Sequence, residues 1–163
     1  MNQPAEAVQA LTFDPASFLM QETSDQMDTQ FVLIPAGEYP AMIKTVAARQ
    51  QQNPADPAIL WTILDVTYAI DDAGVREETG LPEPTIRQSI FLDLGADNKL
   101  DAGKGKNVNL GRLREAVGLN QPGQAFSFGA LVGQACVVAV KHTPDKKDPE
   151  ITYANVNKVA SLT

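Results

Sequence analysis

The sequence predicts a mainly β domain of five strands, with one helix between the third and fourth strands and an N-terminal arm. Three observations support this prediction. From residue 31 onward, segments rich in β-branched and aromatic residues alternate apolar and polar positions, as strands do. Residues 109–118 instead place apolar residues at helical spacing. Residues 1–30 have no sustained period, so we expect an acidic arm there and one domain at 31–163.

The arm combines acidic residues with four large apolar ones, Leu11, Phe13, Phe18 and Leu19. An Asp-Pro pair at residues 14–15 is a turn signal. Such a segment is either a mobile arm or an arm that packs its apolar side chains on a neighbouring subunit. The second alternative predicts a homo-oligomer, a dimer or larger.

Five strands follow a short apolar run at residues 31–34. Their expected bounds are 38–48, 58–70, 86–94, 129–142 and 151–162. Polar loops rich in proline, glycine or charge are expected at 49–57, 71–84 and 143–149. The last two strands then form a hairpin.

The alternation gives each strand an inward and an outward side. The inward set of the second strand is Leu60, Leu64, Val66, Tyr68 and Ile70, and its outward set is Trp61, Ile63, Asp65 and Thr67. The inward set of the third strand is Ile86, Ile90, Leu92 and Leu94, and its outward set is Arg87, Ser89, Phe91 and Asp93. In the fourth strand Cys136, Val138 and Val140 share one phase.

The helix is short and amphipathic. Asn109 is a candidate N-cap, while Leu110, Leu113 and Val117 recur at helical spacing and Gly118 ends the segment. A two- to three-turn apolar stripe needs a sheet to lie on. We therefore expect the helix to seal one end of a β-structure.

Five strands with one helix between the third and fourth strands is the layout of an OB-fold barrel. The sequence thus predicts a five-stranded OB-fold-like barrel preceded by the arm. A β-sandwich with an incidental helix is the alternative.

Composition limits the class of protein. The chain has 163 residues, enough for one domain with its own core, and Cys136 is its only cysteine, which excludes an intrachain disulfide and a cysteine-based zinc site. The N-terminal residues have no basic-plus-apolar signal, and no apolar run is long enough to cross a bilayer. We expect a cytoplasmic protein without a membrane partner.

The charge is unevenly distributed. The net charge is −7, but residues 1–43 hold six acids and no base, so the remainder is almost neutral. Residues 99–114 contain five basic residues and only one acid. This local basic patch is compatible with an anionic partner in spite of the overall charge.

Several segments resemble a known family. These are Gly37-Glu38-Tyr39 at the start of the first strand, the helix LGRLREAVGL, the strand GALVGQACVVAV and the last strand ITYANVNKV. Over about residues 31–160 the chain is similar to phage-encoded OB-fold single-stranded-DNA-binding proteins and their uncharacterised relatives. The resemblance implies an accessory role in replication or recombination. The chain departs from the usual layout because its acidic segment is N-terminal and its C-terminus, NVNKVASLT, has no acid.

Catalytic chemistry has few candidates. His142 is the only histidine and lies where a strand meets a turn, a usual place for an inert one. GKGKN at residues 103–107 lacks the spacing of a phosphate loop, and the acids Asp71, Asp72, Glu77 and Glu78 do not follow a calcium-loop pattern. We therefore expect no catalytic residue, no metal site and no cofactor.

Binding of single-stranded nucleic acid requires cations along the phosphates and aromatic faces for the bases. The aromatic candidates are Trp61, Phe91 and Tyr153. The cationic candidates are Lys44, Arg87, Lys104, Lys106, Arg112, Arg114, Lys141 and Lys158.

Two functional hypotheses follow. The first is a non-enzymatic protein that binds single-stranded DNA without sequence preference in phage replication or recombination, in the cytoplasm of the host cell. The second is a structural subunit of the virion, such as a head-decoration protein, in which the arm clasps a neighbouring subunit.

Overall fold

A computed structural model describes residues 12–162, which divide into two compact units between Phe31 and Val32. In the first unit a short helix, α1, spans Pro15–Leu19. The Asp14 carboxylate accepts a hydrogen bond from the backbone N–H of Ala16 at 3.2 Å. Proline suits the first helical position, where its missing N–H has no partner to lose. The Asp-Pro pair, expected to form a turn, therefore begins a helix.

The apolar side chains of this unit are exposed. They are Phe13, Phe18, Leu19, Met20, Met27 and Phe31. The rings of Phe13 and Phe18 lie 5.4 Å apart. Leu11, which belongs to the predicted set, lies outside the described residues.

The second unit is built on five strands, β1 (Gly37–Asn53), β2 (Asp56–Ile70), β3 (Thr85–Leu92), β4 (Ala135–Pro144) and β5 (Thr152–Ala160). Its helices are α2 (Ala73–Thr79), α3 (Val108–Ala116) and a short 3-10 helix at Phe128–Leu131. All neighbouring strands are antiparallel, in the order β3-β2-β1-β4-β5. The prediction of a mainly β domain with five strands and a helix between the third and fourth is confirmed. No helix within residues 12–162 has the length and apolarity needed to cross a bilayer.

The first two strands are longer than the sequence predicts. Residues 49–57 were expected to be a loop, but β1 and β2 remain paired through Gln52 and Leu60 and, after a register shift, at Asn53 and Asp56. The side chain of Asn53 accepts a bond from Ala55 N–H at 2.9 Å, which stabilises the tight turn between the strands. The prediction of a loop was wrong because ladder hydrogen bonds use the backbone and do not require apolar side chains.

A β-bulge interrupts β1. The pairing with β2 shifts between Ile43 and Thr45, so Lys44 is the extra residue. A bulge bends its strand and increases the local twist. It also reverses the phase of the strand, which is why both Ile43 and Val46 pack on the core.

The core follows the predicted alternation. Leu64, Val66, Tyr68 and Ile70 of β2 are at most 2% exposed, and Cys136, Val138 and Val140 of β4 are also buried. Ile86 and Ile90 supply the inward side of β3. Two residues of β2 depart from the prediction. Leu60, predicted to face inward, is 56% exposed because it pairs with Gln52 near the turn of the hairpin, where the strands extend past the core. Ile63 lies on the outward side and yet is only 1% exposed. Its outer face is therefore covered by other outward side chains.

Helix α3 packs its apolar stripe on this core. Leu110 and Leu113 are 2% and 1% exposed and belong to the core cluster, while Val117 packs at its margin. The N-cap is Asn107 and not the expected Asn109. Gly118 follows the helix with φ of 74°, a conformation that glycine adopts without strain.

Three further segments differ from their predicted structure. Residues 71–84 were expected to be a loop, yet they contain α2, whose N-cap Asp72 accepts a bond from Val75 N–H at 2.9 Å. The predicted start of the fourth strand, residues 129–134, is a 3-10 helix and a turn, so β4 begins at Ala135. The third strand ends at Leu92 and not at 94, although Leu94 forms an isolated bridge with Leu100.

The sheet is open. β3 and β5 are its two edges and are not hydrogen-bonded to each other in the described part of the chain. Helix α3 lies against both edge strands. The closed barrel that the sequence predicts is therefore not confirmed. The expectation that the apolar stripe of the helix lies on the sheet is confirmed.

Candidate nucleic-acid interface

Two of the three predicted aromatic side chains form a pair on the outer face of β2 and β3. The rings of Trp61 and Phe91 meet edge to face, with their centroids 5.4 Å apart and their planes at 89°. Ile63 lies opposite Phe91 in the ladder, on the same face. Phe91 is 55% exposed and Trp61 is half-buried. The pair covers an apolar patch and still presents aromatic surface to solvent, as a stacking platform must.

A hydrogen-bonded network lies beside the ring pair. Arg49 Nε donates to Asp65 Oδ2 at 2.7 Å, and Ser89 Oγ donates to the other carboxylate oxygen, Oδ1, at 2.7 Å. Arg49 Nη1 also donates to Gln51 Oε1 at 2.8 Å. These bonds fix the guanidinium on the outer face, directly across the ladder from Ile63.

The network perturbs the carboxyl group at its centre. The pKa of Asp65 is lowered, chiefly by the hydrogen bond from Arg49, with Ser89 and the nearby charge of Arg87 adding to the effect. The network therefore stabilises the fold at pH values above the ordinary aspartate pKa. This contribution is lost as the pH falls through the lowered pKa of Asp65.

Arg49 is absent from the set of predicted site residues. It falls within residues 49–57, which were expected to form a loop. The signal that could have found it is the spacing of Ala47, Arg49 and Gln51, which continues the outward phase of β1.

Arg87 and the polar residues near it line the open edge of the sheet. Arg87 is exposed on the outer face of β3, opposite Thr67, and forms no ion pair within the described residues. Two adjoining cavities, of about 440 and 630 Å³, occupy the space between β3, β5 and α3. We call this space the seam groove. Side chains that line both cavities are Gln88, Asn109 and Asn157.

The seam groove brings predicted cations together. Arg87 lines the smaller cavity, and Arg112 and Lys158 line the larger one. Both Arg112 and Lys158 are exposed. No local sequence pattern places these three residues in one groove, since they lie on β3, α3 and β5.

The basic loop before α3 is held at its ends. Asp93 N–H donates to Asn107 Oδ1 and Asn107 N–H donates to Asp93 Oδ2, both at 2.8 Å. Asn107 Nδ2 also donates to the carbonyls of Asp93 and Asp101, at 2.8 and 2.9 Å. Lys104 and Lys106 are exposed within the loop that this clamp closes.

Arg114 has a structural set of contacts. Its Nε donates to the carbonyl of Leu119 at 2.9 Å, and its guanidinium carbon lies 4.2 Å from the centroid of the Phe126 ring. These contacts fasten the segment after α3 to the helix. The guanidinium of Arg114 is thus already bound within the protein, whereas the side chain of Arg112 is exposed.

The remaining predicted residues do not join the ring pair. Tyr153 lies opposite Thr143, 49% exposed, and its hydroxyl interacts with the Asp145 carboxylate, which raises the pKa of the tyrosine. Lys141 is exposed on β4, across from Asn155. Lys44 forms an exposed ion pair with Glu83 at 3.1 Å.

His142 and Cys136, the only histidine and the only cysteine, have structural surroundings. A ring nitrogen of His142, Nε2, lies 2.7 Å from the carbonyl oxygen of Ile34 and tethers the segment before β1 to β4. Burial raises the pKa of the Cys136 thiol to about 11, so the thiol is protonated at neutral pH. No cluster of three or more potential metal-ligating side chains occurs among residues 12–162.

The chain matches no family model, and no curated protein is significantly similar to it.

Proposed function

We propose that this protein is a non-enzymatic single-stranded-DNA-binding protein with an OB-fold-like body, acting in phage replication or recombination. The observation that carries the proposal is the Trp61–Phe91 pair on the outer face of β2 and β3, in which Phe91 is exposed and Trp61 half-buried. Bases of an unpaired strand stack on such rings, whereas bases within a duplex are already stacked on each other.

The topology supports this assignment. OB-folds are five-stranded, partly open barrels that bind oligonucleotides on the face of their second and third strands. The strand order β3-β2-β1-β4-β5, with α3 between β3 and β4, agrees with that layout. The ring pair lies on the strands that the layout assigns to the ligand.

The distribution of charge supports binding of a phosphate backbone. Six of the predicted cationic residues are exposed and form no ion pair in the described part of the chain, namely Arg87, Lys104, Lys106, Arg112, Lys141 and Lys158. The acids that dominate the net charge are concentrated in residues 1–43. Every base has a face that can stack on an aromatic ring, and every nucleotide has a phosphate. We therefore expect binding to be independent of sequence.

We further propose that the protein is a homo-oligomer in the cytoplasm of the host cell. The first unit exposes Phe13, Phe18 and Leu19, which are 68%, 54% and 79% exposed. A cluster of exposed large apolar side chains is typical of a protein–protein contact. A second copy of the chain is the partner that such an arm fits.

The exposed arm also favours a second candidate function, that of a subunit in the virion which clasps its neighbour. Purified virions distinguish the two. Stoichiometric amounts of the protein in washed particles support the structural role, and its recovery only from infected-cell extract supports the DNA-binding role.

An electrophoretic mobility shift with single- and double-stranded oligonucleotides of one sequence tests the leading proposal. We expect a shift of the single strand that weakens as the salt concentration rises, and a much weaker shift of the duplex. No shift of the single strand at low salt refutes the proposal.

A further inference from the structure

The seam groove has polar groups that the fold does not consume. Gln88 Oε1 accepts a hydrogen bond from the buried hydroxyl of Tyr68 at 2.6 Å, which fixes the carboxamide in place. Its Nε2 group makes no hydrogen bond within residues 12–162. The groove therefore has a donor of fixed position on its wall.

The opposite wall of the groove is shaped by an irregularity in β5. Ala139 pairs with Lys158 and Val140 pairs with Val156, so Asn157 is the extra residue of a β-bulge. Bulges re-aim side chains and are frequent beside binding sites. Asn157 and Asn109 line the groove across from Gln88, and neither makes a side-chain hydrogen bond in the part of the chain that the structure describes.

The larger cavity adds an apolar wall and two cations. Its apolar side chains are Leu113, Ala116, Val159 and Ala160. Its cations are Arg112 and Lys158, and its one acid, Glu115, accepts a hydrogen bond from Asn120 at 3.2 Å. Apolar surface, carboxamides and positive charge together match the base and the phosphate of a nucleotide.

We propose that the seam groove holds one nucleotide unit of the bound strand, with its base against the apolar wall and the carboxamides, and a phosphate on Arg112 and Lys158. This inference rests on the proposed function and extends it to a site apart from the stacking platform. The cavity volume of about 630 Å³ lies within the range of small-molecule sites. Carboxamides both donate and accept hydrogen bonds, so the site accommodates different bases.

Strand β3 connects the platform to the groove. Every second residue of β3 points to its outward side, and these residues are Phe91, Ser89 and Arg87. Phe91 belongs to the ring pair, and Ser89 and Arg87 line the smaller cavity. A DNA strand whose base stacks on the Trp61–Phe91 pair can therefore follow this row of side chains to the seam groove.

Nuclear magnetic resonance of the full, ¹⁵N-labelled chain tests the proposal. A thymidine oligonucleotide of about 8 residues, within the usual site size of one OB-fold, is the probe. We expect the side-chain amide signals of Gln88, Asn109 and Asn157 to shift together with the Trp61 indole signal. A shift of the indole signal without any shift of the three amides overturns the groove proposal and leaves the platform intact. If neither set shifts, the proposed function falls as well.

Salt dependence provides a second test. Each phosphate contact on a single strand contributes about 0.7 to the slope of log affinity against log salt. We expect the variant Arg112→Ala/Lys158→Ala to reduce the magnitude of this slope by about 1.4. The control Arg76→Ala/Lys147→Ala removes the same number of charges outside the groove. Arg76 lies on α2, where it pairs with Asp71, and Lys147 lies in the turn between β4 and β5, so we expect the slope to be unchanged. Equal slopes for both double variants overturn the proposal.

Discussion

Replacement of Phe91 by leucine should distinguish the contribution of the ring to base stacking from its contribution to folding stability. The side chain is 55% exposed, so slightly less than half of it is buried over Ile63 and against Trp61. A buried phenylalanine covers about 200 Å², so alanine at this position would expose about 90 Å², costing about 2 kcal/mol of unfolding free energy. Leucine retains most of that apolar cover and should cost less than about 1.5 kcal/mol.

The effect on DNA binding should be larger than the effect on folding. Loss of one stacked base costs about 1–3 kcal/mol, and the partial burial of the ring favours the lower half of that range. We therefore expect the Phe91→Leu variant to bind single-stranded DNA about 5- to 30-fold more weakly. Titration of a labelled oligonucleotide by fluorescence anisotropy measures the affinity, and urea unfolding measures the stability.

A matched substitution is available in the arm. Phe18 is 54% exposed, almost the same as Phe91, and lies in the other unit. We expect Phe18→Leu to leave the DNA affinity within about twofold of the wild type, a difference of about 0.4 kcal/mol. If Phe91→Leu is equally harmless to binding, the ring pair is not a stacking platform.

Three further outcomes follow from the contacts described. The Asp65→Asn variant should unfold at a lower urea concentration than the wild type at pH 7. This difference should vanish below the lowered pKa of Asp65, because protonation of the carboxylate then weakens its bond with Arg49. A difference that stays the same in urea melts from pH 7 to pH 2 contradicts a stabilising Arg49–Asp65 bond. Arg114→Leu should lower the unfolding free energy by about 1–2 kcal/mol, since a charged hydrogen bond and a cation–π contact are lost, and a loss of DNA affinity alone speaks against a structural role. Phe13→Ser/Phe18→Ser should reduce the sedimentation coefficient toward that of a monomer, because it removes exposed apolar surface from the arm; an unchanged oligomer excludes the arm as its contact.

The elements with a regular spacing of apolar residues could be predicted from the sequence. Strand β2 shows its inward set clearly because each of Leu64, Val66, Tyr68 and Ile70 is buried on one face. The position of α3 followed from the spacing of Leu110 and Leu113, since an amphipathic helix of that length must pack on a sheet.

The parts that depend on backbone pairing or on a few local bonds were missed. The end of the β1–β2 hairpin has polar side chains on both strands, so its sequence has no apolar alternation to detect. Helix α2 depends on the Asp72 cap and on Gly80, which has φ of 69° and accommodates the end of the helix. Both signals are brief and were outweighed by the charged composition of residues 71–84.

The site was predicted in part. Alternation identified Trp61 and Phe91 as outward residues, but only the ladder register shows that neighbouring strands bring their rings together. The seam groove combines side chains that are more than 60 residues apart in the chain, such as Gln88 and Asn157. Long-range proximity of that kind depends on the path of the edge strands and leaves no local pattern.

The fluorescence of Trp61, the only tryptophan in the chain, reports directly on the central claim. We predict saturable quenching when a single-stranded oligonucleotide is added, weaker quenching at higher salt, and little change with the corresponding duplex, because only unpaired bases can stack on the Trp61–Phe91 pair. Unchanged fluorescence at a concentration of single strand that saturates binding, or equal quenching by the duplex, would contradict the account.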